Sequence, residues 1–153
     1  MDIGDTAPAF DLPTDGGTNA SSVALKGKKV VLYFYPKDDT SGCTAEAIAF
    51  TGLKTDFAAA DTVVIGVSKD SVGAHAKFRK KYDLGVELGA DPEGTVVEAY
   101  GAWVEKSMYG RKYMGIDRST FLIARDGTLA AVWRKVKVPG HAAAVLKAAQ
   151  DLG

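Results

Sequence analysis

The only cysteine of the chain, Cys43, follows a short polar loop that interrupts a run of strand-forming residues. Residues 33–46 read YFYPKDDTSGCTAE, so the thiol comes three residues after Thr40 and seven after Pro36. The pattern predicts a helix that begins here, with Thr40 or Ser41 as its N-cap. Unpaired amides and the positive dipole at a helix N-terminus favour an anion. This position therefore favours the ionised thiolate of Cys43, which is the nucleophilic form of cysteine.

The alternative interpretation of Cys43 is a small hydrophobic residue of the core, which is a common role for cysteine. Helical geometry places Cys43, Glu46, Phe50, Leu53 and Phe57 on one side of the predicted helix. Because that side carries the core stripe, we expect the sulfur at the bottom of a shallow pocket, partly desolvated. A thiol used only for packing gains nothing from a helix N-terminus, so the position favours a reactive cysteine.

The composition excludes several classes of protein. The 153 residues are 46% hydrophobic and 25% charged, with 19 basic against 19 acidic side chains. This balance argues against nucleic acid or an anionic membrane as the main partner. The first ten residues have no basic or apolar region of a signal peptide, and no apolar run is long enough to span a membrane. One cysteine forms no internal disulfide, so we expect a reducing compartment, the cytoplasm.

No cofactor site is predicted. The two histidines, His75 within a predicted helix and His141 at the start of another, do not combine with the single cysteine in metal-ligand spacing. We therefore expect no metal and assign neither histidine a ligand or catalytic role. No glycine pattern typical of phosphate binding occurs, which argues against a nucleotide cofactor.

The first half of the chain alternates strands and helices. Residues 28–36 and 62–68 are apolar on both faces, which predicts central strands covered by helices, the first ending at Pro36. Helices are predicted over residues 42–59 and 71–82. The strand–helix–strand–helix order predicts a parallel pair joined by a crossover.

The second half adds a short helix or turn near residues 95–100 and a long loop over 101–117. A hairpin follows, with strands at 119–123 and 129–133, and a last helix runs from Gly140 to about residue 152. We predict a single α/β domain over residues 1–153, with a mixed central sheet flanked by helices.

Several stretches of the sequence resemble one family. The pattern Pro36-x-x-x-Thr40-x-x-Cys43 is similar to the peroxiredoxin signature, and the wider loop resembles the bacterioferritin comigratory protein (PrxQ) branch. Other strings similar to the family, in family order, are GDTAPAFDL, EAYGAW, MYGRKYMGI, DRSTFLIARDG and KVKVPGH. The resemblance covers nearly the whole chain. It implies a thioredoxin-like fold and a thiol-dependent peroxidase that uses no metal, haem or flavin.

The resemblance also implies roles for individual residues. Cys43 is the peroxidatic cysteine, the Thr40 hydroxyl serves the thiolate and the bound peroxide, and the Arg118 guanidinium lies over the sulfur. Pro36 lines the pocket and shields it from water. From the residues alone, Thr40 is equally an N-cap, and an arginine such as Arg118 at the head of a strand is more often a surface residue.

Two further residues complete the predicted pocket. Gly42 precedes the cysteine, and Glu46 lies one helical turn below it. Glu46 is placed to hold an arginine, although an exposed helix glutamate is the alternative interpretation.

Ile48 departs from the family pattern. Many members of this branch carry a second cysteine five residues after the first, in the pattern GCTxEAC, and here Ile48 stands at that place. A natural isoleucine and an engineered replacement both fit this observation. No other cysteine exists, so the prediction is a one-cysteine enzyme whose sulfenic acid is reduced by an external thiol: thioredoxin, glutaredoxin or a small thiol.

Substrate preference and oligomeric state have weaker signals in the sequence. The sequence does not choose between hydrogen peroxide and alkyl hydroperoxides as the substrate. The absence of a long C-terminal extension favours a monomer or weak dimer. A functional alternative is a redox sensor or binding module that uses oxidation of Cys43 as a signal, with little turnover.

Overall fold

A five-stranded sheet lies at the centre of the computed structural model, which describes residues 1–153. The strands are β1 (Asp11–Pro13), β2 (Asn19–Ser21), β3 (Lys29–Phe34), β4 (Thr62–Ser68), β5 (Glu87–Ala90), β6 (Trp103–Met108), β7 (Arg111–Ile116), β8 (Ser119–Ile123) and β9 (Leu129–Trp133). The helices are α1 (Ser41–Gly52), α2 (Lys54–Ala59), α3 (Val72–Tyr82), α4 (Thr95–Ala99) and α5 (His141–Leu152).

The central sheet has the strand order β5-β4-β3-β8-β9. β3 is parallel to β4, which is parallel to β5, whereas β8 and β9 run antiparallel. Every residue of β3 is buried. The predictions of a mixed sheet, a parallel β3–β4 pair and a β8–β9 hairpin are therefore confirmed.

Alternate residues of β3 supply two separate hydrophobic clusters, as expected for a strand with period two. Val31 and Tyr33 face a cluster that includes buried residues of α1, α2, α3 and α5. Val30, Leu32 and Phe34 face a second cluster, which contains residues of α4, the N-terminal segment and β8. Burial on both faces explains the continuous apolar run that predicted this strand.

A close approach explains the glycine in the middle of β4. Gly66 pairs with Tyr33 in the parallel register, and a Cβ at Gly66 would lie 2.7 Å from the Tyr33 hydroxyl oxygen. Only glycine leaves room for this ring. The Tyr33 ring is then free to stack on Phe50 of α1, with ring centroids 4.7 Å apart.

The helix predicted over residues 42–59 is wrong as a single element. α1 ends at Gly52, and Leu53 has φ −104° and ψ 9°, outside the helical range, before α2 resumes. Glycine is among the weakest helix formers, which explains a break here. Phe50 and Phe57 are both buried as predicted, although they now lie on two helices.

The long loop predicted over residues 101–117 is also wrong. β6 and β7 form an antiparallel hairpin there, and its two-residue turn is Tyr109-Gly110, both with positive φ. Such a turn is usually built from Asn-Gly or Asp-Gly. Because tyrosine stands at the first turn position here, the sequence did not indicate a hairpin turn. The hairpin is largely exposed, and Tyr109 is 98% exposed, so the strands lack the buried face that makes a strand visible in a sequence.

Three short strands were not predicted as such, namely β1, β2 and β5, each of three or four residues. Runs this short carry too little alternation to identify a strand. No helix of the chain has the length and apolar character needed to span a membrane.

Candidate functional site

The site lies at the edge of the central sheet where β3 ends and β8 begins. Phe34, the last residue of β3, pairs with Ser119, the first residue of the antiparallel β8. The loop that follows β3 and the residue that precedes β8 therefore meet, although Cys43 and Arg118 are 75 residues apart in the chain. The sheet topology, rather than local sequence, brings these two side chains together.

Cys43 lies in the first turn of α1 and is 1% exposed. The first helical hydrogen bond in α1 runs from the Thr44 amide to the Thr40 carbonyl oxygen, at 2.8 Å. The amides of residues 41–43 therefore precede the helical ladder, and the positive end of the helix dipole lies at the sulfur. The sulfur is buried more deeply than the predicted shallow pocket, because the side chain enters one of the two core clusters.

The guanidinium of Arg118 connects the sulfur to a carboxylate. Its Nη2 lies 3.4 Å from Cys43 Sγ, and its Nη1 donates to Glu46 Oε1 at 2.7 Å. The Arg118 side chain is 17% exposed, and its backbone carbonyl accepts from the Val136 amide at 2.9 Å. The structure thus places Arg118 against the sulfur and not on the open surface.

Glu46 is 1% exposed, so the interpretation as an exposed helix glutamate is wrong. Its Oε1 accepts from Arg118, whereas its Oε2 is buried without a hydrogen-bond partner. Burial raises the pKa of Glu46 to about 7, against the opposing influence of the Arg118 charge. The carboxyl group therefore changes protonation near neutral pH.

Gly42 gives the guanidinium its space. A Cβ at Gly42 would lie 3.0 Å from Arg118 Nη2, closer than side chains normally approach. The glycine has no positive φ, so its conformation suits other residues and the lack of a side chain is what matters. Gly42 therefore belongs to the set that positions Arg118.

Thr40 and Pro36 lie on the exposed side of the site. Thr40 occupies the N-cap position of α1, but its hydroxyl makes no capping bond and donates to the Lys37 carbonyl oxygen at 2.8 Å. Pro36 comes two residues after the end of β3. The Tyr35 amide between them still donates to the Val67 carbonyl oxygen of β4. Neither side chain makes a hydrogen bond to Cys43 in this structure.

An aromatic wall adjoins the site on the α5 side. His141 meets the ring of Phe50 edge-on, with centroids 6.1 Å apart, and that of Trp133 at 5.8 Å. Its Nε2 lies 2.8 Å from Thr120 Oγ1. Burial and the nearby Arg118 charge lower the pKa of His141 to about 4, so the ring is neutral at physiological pH. Sequence reasoning missed this proximity, which depends on how α5 packs.

These groups combine an electron-rich sulfur, a cation and free backbone amides in a largely buried site. Such a set stabilises a thiolate and also the negative charge that forms on a leaving oxygen. No three His, Cys, Asp or Glu side chains come together in an arrangement suited to a metal ion.

Comparison with known proteins identifies the family of the chain. Residues 3–132 match the model of the AhpC/TSA family. The chain is 53% identical over 146 residues to a putative peroxiredoxin bcp of Coxiella burnetii, covering 95% of this chain and 97% of the relative. It is 46% identical over 152 residues to peroxiredoxin Bcp of Bacillus subtilis, covering 99% and 97%.

Solved structures agree with the sequence relatives. The bacterioferritin comigratory protein of Xanthomonas campestris superposes with a TM-score of 0.88 at 42% identity, covering 93% of this chain and 90% of that one. BcpB of Mycobacterium tuberculosis superposes with a TM-score of 0.86 at 34% identity, covering 100% and 99%. The arrangement of Cys43, Arg118 and Glu46 thus lies in a chain that belongs to the AhpC/TSA family, among the Bcp (PrxQ) peroxiredoxins.

Proposed function

We propose that this peroxiredoxin reduces peroxides through Cys43 alone. The thiolate attacks one peroxide oxygen and takes it up as a sulfenic acid while the O–O bond breaks: Cys43–S⁻ + ROOH → Cys43–SOH + RO⁻, and RO⁻ then takes a proton from solvent. The observation that carries the proposal is the contact of Arg118 Nη2 with Cys43 Sγ, fixed from behind by Glu46.

The donors around the sulfur account for catalysis beyond thiolate formation. Ionising the thiol fully at neutral pH lowers the barrier by about 2 kcal/mol at most, because an ordinary thiol is already a few per cent ionised. The remainder requires donors that bind the departing oxygen better than the intact peroxide. Arg118 and the Cys43 amide are in place, and Thr40 would join them when its hydroxyl turns from the Lys37 carbonyl.

The reductant is an external thiol, because Cys43 is the only cysteine. Thioredoxin, glutaredoxin and small thiols all fit this requirement, which also favours a reducing compartment such as the cytoplasm. At 1% exposure the sulfur is out of reach of another protein, so we infer that the first turn of α1 opens during reduction. We further propose that the protein works as a monomer or weak dimer.

Alkyl hydroperoxides are proposed as substrates together with hydrogen peroxide. The support comes from the Xanthomonas campestris protein, for which alkyl peroxide reduction activity is described. In the present chain Cys43 lies in the same hydrophobic cluster as Phe50, so the surroundings of the sulfur are partly apolar.

The test is multiple turnover. Wild-type protein with a thiol reductant is expected to consume many equivalents of hydrogen peroxide per Cys43, and Cys43→Ser is expected to consume none. A single stoichiometric burst with each of the three reductant classes would contradict the proposal and favour a redox sensor. An intramolecular disulfide is impossible with one thiol, so mass spectrometry after peroxide treatment should show a sulfenic acid or a mixed disulfide.

A further inference from the structure

A second buried network lies beside the site, at the carboxyl ends of the parallel strands. Its centre is Asp38, in the loop that leads from β3 to Thr40. The Asp38 carboxylate accepts from the Tyr35 hydroxyl at 2.6 Å, and its side chain is 7% exposed. The Asp38 amide donates to Asp70 Oδ2 at 2.9 Å.

The remaining oxygen of Asp38 faces a fully buried histidine of α3. His75 Nδ1 lies 2.7 Å from Asp38 Oδ2, and His75 Nε2 lies 3.0 Å from the Gly89 carbonyl oxygen of β5. Both ring nitrogens therefore face acceptors. A neutral imidazole has only one N–H, so it could donate to only one of them and would turn a lone pair towards the other.

The proton count of this pair follows from the contacts. Both contacts need a proton: one N–H of the ring donates to the Gly89 carbonyl oxygen, and a second proton is shared between His75 Nδ1 and Asp38 Oδ2. A carboxylate is a weaker base than imidazole, so the shared proton belongs on the ring. His75 and Asp38 then form a buried ion pair in which every polar atom has a partner.

No other charge competes for Asp38. The Asp70 carboxylate is occupied by the Ser68 hydroxyl and the Asp38 amide, and Tyr35 contributes a neutral hydroxyl. No lysine or arginine makes a hydrogen bond or salt bridge to Asp38 or Asp70. The imidazolium of His75 is thus the counter-charge of Asp38.

The same loop carries the site. Thr40 follows Asp38 by two residues, and Asp39 between them has φ 61°, a left-handed conformation that fixes the direction of the chain. We propose that His75 is a positioning residue: as a buried imidazolium it anchors Asp38 and so fixes the loop from which the Thr40 hydroxyl, bonded here to the Lys37 carbonyl, turns towards Cys43 during the reaction. This inference rests on the proposed peroxidase function.

The charge on His75 can be observed directly. The chain has only two histidines, so ¹⁵N spectra of the imidazole rings assign both with a single His141→Gln variant. At pH 7.5 both nitrogens of His75 are expected to be protonated, whereas His141 should have one unprotonated nitrogen. An unprotonated nitrogen on His75 would overturn the proposal, whether or not the protein reduces peroxide.

The positioning role is tested by comparing neighbouring carboxylates. Asp38→Asn keeps a hydrogen-bonding partner for Tyr35 and His75 but removes the charge, so the fold should persist. Asp39→Asn changes the adjacent, exposed carboxylate, which pairs with Lys81 and Tyr82. Asp38→Asn is expected to slow oxidation of Cys43 by hydrogen peroxide by about tenfold or more, and Asp39→Asn by less than about twofold.

A double-mutant cycle separates positioning from general loosening of the fold. If Asp38 acts through Thr40, Asp38→Asn should have little further effect once Thr40→Val has removed the hydroxyl. His75→Gln should behave as Asp38→Asn does, with exposed Lys77→Gln on the same helix as its control. Additive losses in the Thr40→Val background, or equal rates for Asp38→Asn and Asp39→Asn, would refute the inference.

Discussion

The most informative residue of the site is Glu46, because its two oxygens have different surroundings. One binds Arg118 and the other is buried without a partner. Burial outweighs the ion pair, so the pKa of this carboxyl is raised to about 7. Removing one partner of such a pair costs more than the pair itself contributes, since the remaining charge stays buried.

Glu46 should make stability depend on pH. The native state holds a proton on this carboxyl that the unfolded state, with its pKa of 4.5, gives up first. The free energy of unfolding therefore falls as pH rises from about 4.5 to 7, by up to about 3 kcal/mol from this group. Urea unfolding at pH 5 and 7.5 should show the decrease in wild type and a smaller one in Glu46→Gln. Equal pH dependence in both proteins would mean that Glu46 is ionised throughout.

Arg118 should matter more for the reaction than for the ionisation of the thiol. Arg118→Ala removes a donor to the departing oxygen, and we expect peroxide reduction to slow by at least about 100-fold. Absorbance of the thiolate as a function of pH should show a smaller loss of ionised Cys43. Arg118→Lys keeps the charge but cannot bridge sulfur and carboxylate with two nitrogens, so it should recover only part of the rate. Rate and ionisation losses of equal size would contradict this role.

At the scale of elements, α1 presents the sulfur and also leaves room for the guanidinium. Gly42 lies in its first turn against Arg118, whereas Gly52 ends the same helix with nothing within 4 Å of an added Cβ. Replacing either glycine with alanine changes the helix propensity of α1, but only the replacement at Gly42 crowds Arg118. Comparing the two variants therefore isolates the steric effect at the site.

Gly42→Ala should displace the Arg118 guanidinium from the sulfur. We expect peroxide reduction to slow by about tenfold or more, with an unchanged or slightly higher melting temperature, since alanine favours a helix over glycine by up to about 1 kcal/mol. Gly52→Ala is the matched control and should leave the rate unchanged. A fully active Gly42→Ala would show that the Arg118 guanidinium can shift away from the added methyl group without slowing peroxide reduction.

The sequence predicts an element well where burial produces a recognisable pattern of apolar residues. β3 and β4 are apolar on both faces and were found within two residues of their observed ends. The β6–β7 hairpin was missed because its residues are mostly exposed, and the break at Leu53 was missed because the apolar stripe continues across it. Cys43 was predicted as a reactive thiol from its place at a helix N-terminus, whereas Arg118 and the role of Thr40 at the sulfur were predicted only through resemblance to a family.

Two contacts between distant parts of the chain were not settled by the residues alone. Nothing in the spacing shows that Glu46 is buried under Arg118, or that His75 meets Asp38, because these pairs are 72 and 37 residues apart. They depend on strand order and on the packing of α3, which only the folded chain defines.

At the scale of the whole molecule, the central sheet has two different ends. The reactive end collects the β3–α1 loop, Arg118 and the start of α5. At the opposite end, Lys29 begins β3 and is 2% exposed, and its Nζ donates to the Ala149 carbonyl near the end of α5 at 2.7 Å. The negative end of the helix dipole is a suitable partner for this buried ammonium group.

Lys29→Ala should destabilise the fold without changing the chemistry. It removes a buried hydrogen bond to a charged group, and we expect a loss of about 1.5–3 kcal/mol in the free energy of unfolding. Lys28→Ala removes an exposed lysine that pairs loosely with Asp61, and it should change stability by less than about 0.5 kcal/mol. Both variants should reduce peroxide at the wild-type rate when folded, as stopped-flow measurements would show. A slower Lys29→Ala would mean that the two ends of the sheet are coupled.

This division has a practical use. If Lys29→Ala reduces peroxide at the wild-type rate, the Lys29 end can be redesigned for tolerance of heat or solvents, through added cross-links or tighter packing, without disturbing the sulfur and its donors. An industrial peroxide scavenger could therefore be made more robust first and adjusted for its substrate afterwards, with each round of engineering confined to its own end of the sheet.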